Sequence, residues 1–508
     1  MKPPIRTIYS NDITNLLTCV SPYHRKGEPY RPEMLDASID ETAGRVDAHI
    51  LQPGFGWFPM WQSKVYSPNE HYDWIRERYG MEPDCMGQYL LDGGDFVADF
   101  IKRCRHHGQI PFIGLRLNDT HAKDFIDSKR LDARARWWLP LPLSRFYEEH
   151  PEYRLGPDLE DRNQRVHNWI HEETREFKFR LIEELCQNYD LDGIELDFMR
   201  HPSFFKVEET TSEERREIIT SFVSRVRKTL DESGQNGQHR WLGVRIPCLP
   251  RLHDTIGIDV QELEKAGVEL FNLSAYYFTI QHTGLGPIRK KVQDAAVYLE
   301  VTHCLARGHA IGKGGDATTN RRVMDEQFFT SAHLAYQRGA DGISPFNFVY
   351  YREHGVANRG PFHEPPFHVI TRLNDPEWLA RQPQIYYLAQ SWESPLPARA
   401  IPGRPVKFDL DMAPPEIGWT TDGRLRIQTR FSLEGTEWEA NVNGTLLQAT
   451  DDTSEPYRNP YPHLLGNPEE WRAWSVPHEI LEDGVNQLKI VPLSGEPDDI
   501  LYLELTVS

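Results

Sequence analysis

The run Leu191-Asp192-Gly193-Ile194-Glu195-Leu196-Asp197-Phe198-Met199-Arg200-His201-Pro202 concentrates acids, an arginine and a histidine in one short stretch. Read as a strand, it places Gly193, Glu195 and Asp197 on one face and Ile194, Leu196 and Phe198 on the other. Carboxylates on a buried face are costly unless each finds a partner. In a parallel barrel strand the pattern makes sense: the apolar face packs on helices, and the acids point toward the mouth at the carboxyl end, where such barrels do their chemistry. The bland competitor, an acidic strand edge in water, fits poorly with so apolar an opposite face.

Similar chemistry recurs where other strands are expected to end. Those ends carry Asp12, Gln52, Arg116 with Asn118, Asp119 and His121, then Arg245, Tyr276 and Tyr277, Glu300 and His303, and Asn347. The set is rich in carboxylates, arginines and aromatics and poor in metal-ligand clusters, which is the character of a carbohydrate site. Phe55, Trp57, Phe58, Trp61, Phe348, Tyr350 and Tyr351 around the mouth can stack on sugar faces or, equally, form a satellite core under long loops. A zinc site needs three or four close ligands. His106-His107 instead closes a helix before Gly108 and should face solvent, so no metal and no cofactor is expected.

The elements that must position these residues follow from hydrophobic period. Strands are predicted at Ile5 to Ser10, Val46 to Leu51, Ile110 to Leu117, the stretch above, Trp241 to Ile246, Glu269 to Tyr277, Val297 to His303 and Gly342 to Val349. Helices are predicted at Glu33 to Thr42, Phe96 to His107, Asn163 to Tyr189, Arg215 to Leu230 and Arg321 to Arg338. Eight strands alternating with helices predict an α/β fold of the (β/α)8 TIM barrel class over residues 1–392. A doubly wound sheet is the runner-up, but no Gly-x-Gly-x-x-Gly follows a strand, and Gly312-Lys313-Gly314-Gly315 lacks phosphate-loop spacing. Beyond Trp392 come alternating segments without helices: Val406 to Met412, Leu425 to Phe431, Trp438 to Val442, Trp471 to Val476, Gln487 to Val491 and Leu501 to Val507. With turns at Asn443-Gly444 and Asp483-Gly484, they predict a C-terminal β-sandwich domain over 393–508, either a sugar-binding lobe or, in preference, a cover for the barrel, since no cluster of exposed aromatics stands out.

The chain has 508 residues and a net charge of -19, with its acids spread along its length. That argues against nucleic acid or an anionic membrane as partner. The start lacks the apolar core of a signal, and no run approaches ~18 apolar residues. A cytoplasmic location is expected, or a secreted one if a signal has been removed. The six cysteines include no Cys-x-x-Cys pair, so buried free thiols are expected. A homo-oligomer is compatible with the sequence.

Three families share parts of this pattern. Asp192-Gly193-Ile194-Glu195-Leu196-Asp197 resembles the Asp-Gly-x-Asp-x-Asp-x-Glu strand of family 18 chitinases, but Met199 stands where their proton donor should be. Glu195, Glu300 and Tyr276 or Tyr277 resemble the retaining clan A glycosidases, although Ile194 replaces the Asn before the acid. Ser10-Asn11-Asp12 closing the first strand, Arg116-x4-His121, Arg200 and Pro345-Phe346-Asn347-Phe348 resemble glycoside hydrolase family 156. Those are inverting exo-sialidases with a (β/α)8 barrel and a C-terminal β-sandwich, so this resemblance spans nearly the whole chain.

The family 156 resemblance implies Asp12 and His121 as catalytic groups and Arg116 and Arg200 as grips on the sugar carboxylate, with Asn347 and His49 completing the pocket. Asn118, Glu195 and Asp197 join them as substrate-binding candidates. A planar guanidinium holds a carboxylate through two parallel hydrogen bonds. An inverting hydrolase protonates the leaving oxygen and activates a water across the ring, roles assigned here to Asp12 and His121 in that order. Bland readings stand beside each role. Asp12 can cap a turn, His121 can be a loop histidine, Arg116 and Arg200 can merely pair with Glu195 and Asp197, and His49 can be a core residue. The implied partner is an acidic carbohydrate. The alternatives are a retaining glycosidase using Glu195 or Asp197 with Glu300, and a non-catalytic carbohydrate-binding barrel.

Overall fold

The computed structural model describes residues 2–18, 28–128, 139–234, 237–306, 320–355, 365–390, 394–459 and 466–508. Cys19, Gly312-Lys313-Gly314-Gly315 and the boundary at Trp392 lie outside the described residues. Eight strands close into a parallel barrel: β1 (Ile8–Asp12), β2 (Ala48–Gln52), β3 (Ile110–Arg116), β4 (Gly193–Asp197), β5 (Trp241–Pro247), β6 (Leu270–Ser274), β7 (Ala296–Thr302) and β8 (Gly342–Phe346). Each strand pairs with its neighbours in sequence, and β8 returns to β1. All eight expected barrel strands are present.

Helices form at Pro32–Asp40, Phe96–His106, Glu172–Asn188, Ser212–Ser233 and Asp325–Gln337. The third is shorter than its apolar pattern, which begins near Asn163. Leu155 N donates to Val166 O, and Asn168 N donates to Tyr153 O. These bonds stitch the segment before Glu172 to the preceding loop, so it cannot wind into the helix.

Packing divides the chain into two compact units, Met1–Tyr276 with Pro287–Tyr298, and Tyr277–Gly286 with Leu299–Ser508. In the first, the inward residues at the amino-terminal ends of the strands form an apolar plug of Ile8, Ala48, Ile50, Phe112, Leu270 and Tyr298. Toward the carboxyl ends the same face, which the period of two preserves, turns polar. Ser10 and Asp12, Gln52, Arg116, Glu195 and Asp197, Arg245, Asn272 and Ser274 are all buried there.

In the second unit, antiparallel strands begin at Gln384–Leu388 and form two sheets, one led by Asp498–Val507 and Gly423–Thr429, the other by Val406–Met412 and Gly484–Pro492. Phe408, Leu410, Trp474, Leu488 and Leu503 belong to their shared core. A buried charged knot accompanies it: Arg426 meets Glu504 at 2.9 Å and Glu455 at 2.5 Å, and its guanidinium lies 4.2 Å from the Trp471 ring centre.

Of the two readings of the rim aromatics, stacking platform or satellite core, burial fits the core. Trp57, Phe58, Trp61, Phe348, Tyr350 and Tyr351 are all buried. Trp57 lies against His167 and Phe58 stacks on His71 at 3.7 Å. The five described cysteines are free thiols, and all but Cys85 are buried. No helix among the described residues is long and apolar enough to cross a membrane.

Candidate active site

Asp12 ends β1 and Arg116 ends β3, and the parallel register brings both to the same rim. Arg116 Nη2 donates to Asp12 Oδ1 at 2.6 Å, and Nη1 donates to Asp119 Oδ2 at 3.3 Å. Three features fix the backbone beneath. Gly56 adopts φ +87°, and a Cβ there would lie 2.4 Å from Arg116 O, so only glycine lets the two segments touch. Lys178, buried on the Glu172–Asn188 helix, donates to Gly56 O and, at 3.1 Å, to Arg116 O. Its ammonium also lies 4.0 Å from the Trp57 ring centre.

Asp119 organises the loop after β3. It accepts the His121 backbone N–H at 2.8 Å and faces His121 Nδ1 at 2.9 Å. On the other side of the ring, Arg200 Nη2 lies 3.1 Å from His121 Nε2. A guanidinium only donates, so Nε2 must accept and the ring proton sits on Nδ1, pointing at Asp119. Phe55 packs against the imidazole at 4.8 Å, and the Arg116 guanidinium lies 5.1 Å from that phenyl ring.

Arg200 comes from the loop after β4. Asp197 Oδ1 accepts the backbone N–H groups of Met199 and Arg200 at 2.8 and 3.0 Å, and its carboxylate pairs with Arg245 at 3.1 Å. Arg245 also donates to Tyr276 O, and the Arg200 guanidinium lies 5.5 Å from the Tyr276 ring. This chain holds the guanidinium 4.0 Å from Asp12 and 3.9 Å from Asp119. The result is a buried cluster of Asp12, Arg116, Asp119, His121 and Arg200, in which only His121, with 29% of its side chain exposed, reaches solvent.

Burial disfavours the charged form of His121; Asp119 partly restores it, Arg200 opposes it again, and its pKa settles at about 4. Burial alone would raise Asp119, but His121, Arg116 and Arg200 together hold its carboxyl well below the usual range. Above about pH 4 the site therefore holds an ionised Asp119 beside a neutral, oriented imidazole.

Of the residues singled out in the sequence, Asp12, Arg116, His121 and Arg200 are brought together. His49 is not: it lies on the outer face of β2, buried between Tyr9 and Phe100 at 5.1 and 5.3 Å, with Nδ1 3.5 Å from Thr42 Oγ1. Its pKa is lowered to about 3 by burial, so it is a neutral core residue rather than part of the pocket. Asn118 braces loops, donating to His167 O and Ser203 O and accepting from His167 N. Asp197 serves as the loop anchor just described, and Glu195 accepts from Asn272 Nδ2 at 3.0 Å. Asn347 follows β8 in the second unit, buried with φ +54°, and Glu300 lies on β7 in the same unit.

Lys178 was missed in the sequence, while Asp119, Phe55 and Tyr276, named there among the strand ends and rim aromatics, take more specific parts than the sequence assigned them. For Asp119 the signal was present, an acid two residues before a histidine in a loop. A groove of about 790 Å³ lies elsewhere, lined by Tyr66, Phe146, Phe177 and several glutamates among others, and none of these site residues lines it. Among the described residues one trio, the exposed or half-exposed Asp422, His478 and Glu479, has ligand atoms close enough to share a metal ion.

No family model and no curated protein matches the chain. Among solved structures, it is similar to alpha-L-fucosidase isoenzyme 1 from Paenibacillus thiaminolyticus, at 11% identity and TM-score 0.37 over 96% of each chain. It is also similar to a putative alpha-L-fucosidase from Bacteroides thetaiotaomicron, at 13% identity and TM-score 0.35, over 99% of this chain and 92% of that one. A third is a mutant Streptomyces plicatus beta-hexosaminidase, at 12% identity and TM-score 0.39, over 73% of this chain and 68% of that one. Likeness this distant adds nothing to the barrel already read from the strand order.

Proposed function

We propose that this protein is an exo-acting glycoside hydrolase of sialidase type, releasing a terminal acidic sugar with inversion. One observation carries the reading. Two buried guanidiniums converge on the space between Asp12 and the Asp119–His121 pair, and Arg116 Nε has no hydrogen-bond partner among the described residues. A buried charged N–H without a partner is expensive, and a sugar carboxylate supplies one.

The same carboxylate gives the catalytic groups their roles. In the free protein Arg200 occupies His121 Nε2 and Arg116 pairs with Asp12. A substrate anion competes for both arginines. Drawing Arg200 away exposes the Nε2 lone pair, and Asp119 holds the ring in the tautomer that a general base needs. A negative charge arriving beside Asp12, while Arg116 is shared, strengthens Asp12's hold on a proton, as a general acid requires. Water then attacks the anomeric carbon and gives its proton to His121 Nε2. The glycosidic bond breaks, and its leaving oxygen takes the proton of Asp12. Proton exchange with solvent resets both groups.

A panel of aryl glycosides that includes a sialoside tests the reading, with proton NMR of the first-formed anomer. The expected result is turnover of the sialoside with an inverted product, abolished in Asp12→Ala. Retention, with activity lost only in Glu300→Ala, would instead assign the chemistry to the carboxylates of β4 and β7. Binding without turnover on every glycoside would make the barrel a non-catalytic receptor.

A further inference from the structure

The mechanism above leaves part of the barrel wall unused. Gln52 ends β2 as the register partner of Asp12 and is only 2% exposed. Both ends of its carboxamide, Nε2 and Oε1, lack a hydrogen-bond partner among the described residues. The side chain crosses toward β3, because a Cβ on Gly114 would lie 2.3 Å from Gln52 Nε2. The carboxamide thus fills the space that glycine leaves open. Gly114 is in turn the register partner of Glu195. Two more groups on the interior face share the condition: Ser10 Oγ on the adjacent β1 and Asn272 Oδ1 on β6, four strands round the ring from β2, have no partner among the described residues either.

Buried polar groups are almost always hydrogen-bonded, and an exception calls for a partner that the protein itself does not supply. We propose that Gln52 is a substrate-binding residue whose carboxamide takes a pair of adjacent sugar hydroxyls, with Ser10 on the adjacent strand extending the same polar wall. The inference rests on the carbohydrate reading and adds the orientation of the ring. The carboxamide offers one acceptor and a donor group side by side. A vicinal diol satisfies both, one hydroxyl donating to Oε1 and the next accepting from Nε2. A carboxylate suits Nε2 but sets an anion against Oε1, with Glu195 nearby. The sugar's acid therefore belongs at Arg116 and its hydroxyl edge at Gln52.

Two readouts test this, thermal unfolding of the free protein and the rise in Tm produced by N-acetylneuraminic acid, glucuronic acid or galactose. Gln52→Met replaces the unpaired amide by an apolar chain of similar length, and Gln52→Glu keeps the shape but removes the donor. Gln52→Met is expected to unfold at a higher temperature than wild type without sugar, because a buried unsatisfied amide is gone. Both variants are expected to bind the responsive sugar more weakly, on the order of 10-fold, the loss typical of a buried hydrogen bond.

A lower Tm for free Gln52→Met would overturn the inference, since the amide would then be serving the fold. So would unchanged sugar affinity in both variants while wild type responds; the carbohydrate reading would survive that result. A wild type that responds to none of the three sugars and turns over no glycoside removes the carbohydrate reading and this inference with it.

Discussion

At the scale of single residues, the proposed site turns on Asp119, which contacts His121 and Arg116 at once. Asp119 orients His121 by taking its backbone N–H and facing its Nδ1, and Arg200 can approach Nε2 only in that tautomer. Asp119→Asn preserves shape while removing the charge. It should lower kcat on the order of 10²-fold or more, the usual worth of a positioned base, while circular dichroism shows an unchanged fold. The pH profile adds a sign. Asp119 raises the proton affinity of His121, whose pKa stands at about 4. Its loss should move the acid limb of kcat/KM to lower pH, and a limb that stays in place would show that His121 is not the titrating base. Arg116→Lys keeps the charge but replaces a fork that spans Asp12 and Asp119 with a single point. Its effect should fall chiefly on KM for an acidic glycoside.

At the scale of elements, the barrel was legible because all eight strands carry period-two apolar faces and the helices between them carry a 3.6-residue stripe. Arg116, His121 and Arg200 were legible for a related reason: strand ends in such a barrel share one rim. The rest depended on side-chain direction and on partners. His49 has the right strand and the wrong parity. Trp57 and Phe58 lie in the right loop but turn inward onto histidines of neighbouring segments. Lys178 is the instructive omission, because it lies within the apolar stripe of its helix beside Phe177, Leu181 and Ile182, and a lysine there must have buried acceptors. Its acceptors are Gly56 O and Arg116 O. Lys178→Met keeps the stem but strands both carbonyls, which should cost about 1–3 kcal/mol in denaturant unfolding and reduce activity along with stability. Gly56→Ala should be worse, because φ +87° and a 2.4 Å approach to Arg116 O leave no room for a Cβ. A Gly56→Ala protein with wild-type Tm would show that the loop is not anchored at Arg116.

At the scale of the molecule, buried histidines tie stability to pH. Burial lowers the pKa of His49 and His71 to about 3, and of His121 and His201 to about 4, all from 6.5. His71 shows how the neutral form is used: one ring nitrogen faces Tyr66 Oη and the other faces Pro140 O, both at 3.0 Å. Each ring binds a proton more readily in the unfolded chain than in the fold. Below 6.5 the unfolded state therefore takes up protons that the native state refuses, and stability falls as pH drops toward 4. Asp84 opposes the trend. Burial raises it from 3.8 to about 6 despite the backbone N–H groups it caps, so its contribution is present at low pH and lost as pH rises through 6. Among the described residues eight histidines are lowered by burial, His167, His253, His282 and His333 being the others, against two carboxyls that burial raises, Asp84 and Glu326, and the histidines set the net direction. Tm measured from pH 7 to pH 4 should decline, steepest below 6.5, and the decline should be shallower in a His49→Gln variant, which removes one buried titrating ring without touching the cluster at Asp12. A Tm that holds level to pH 4 would mean that these rings already titrate in the native state and are open to water.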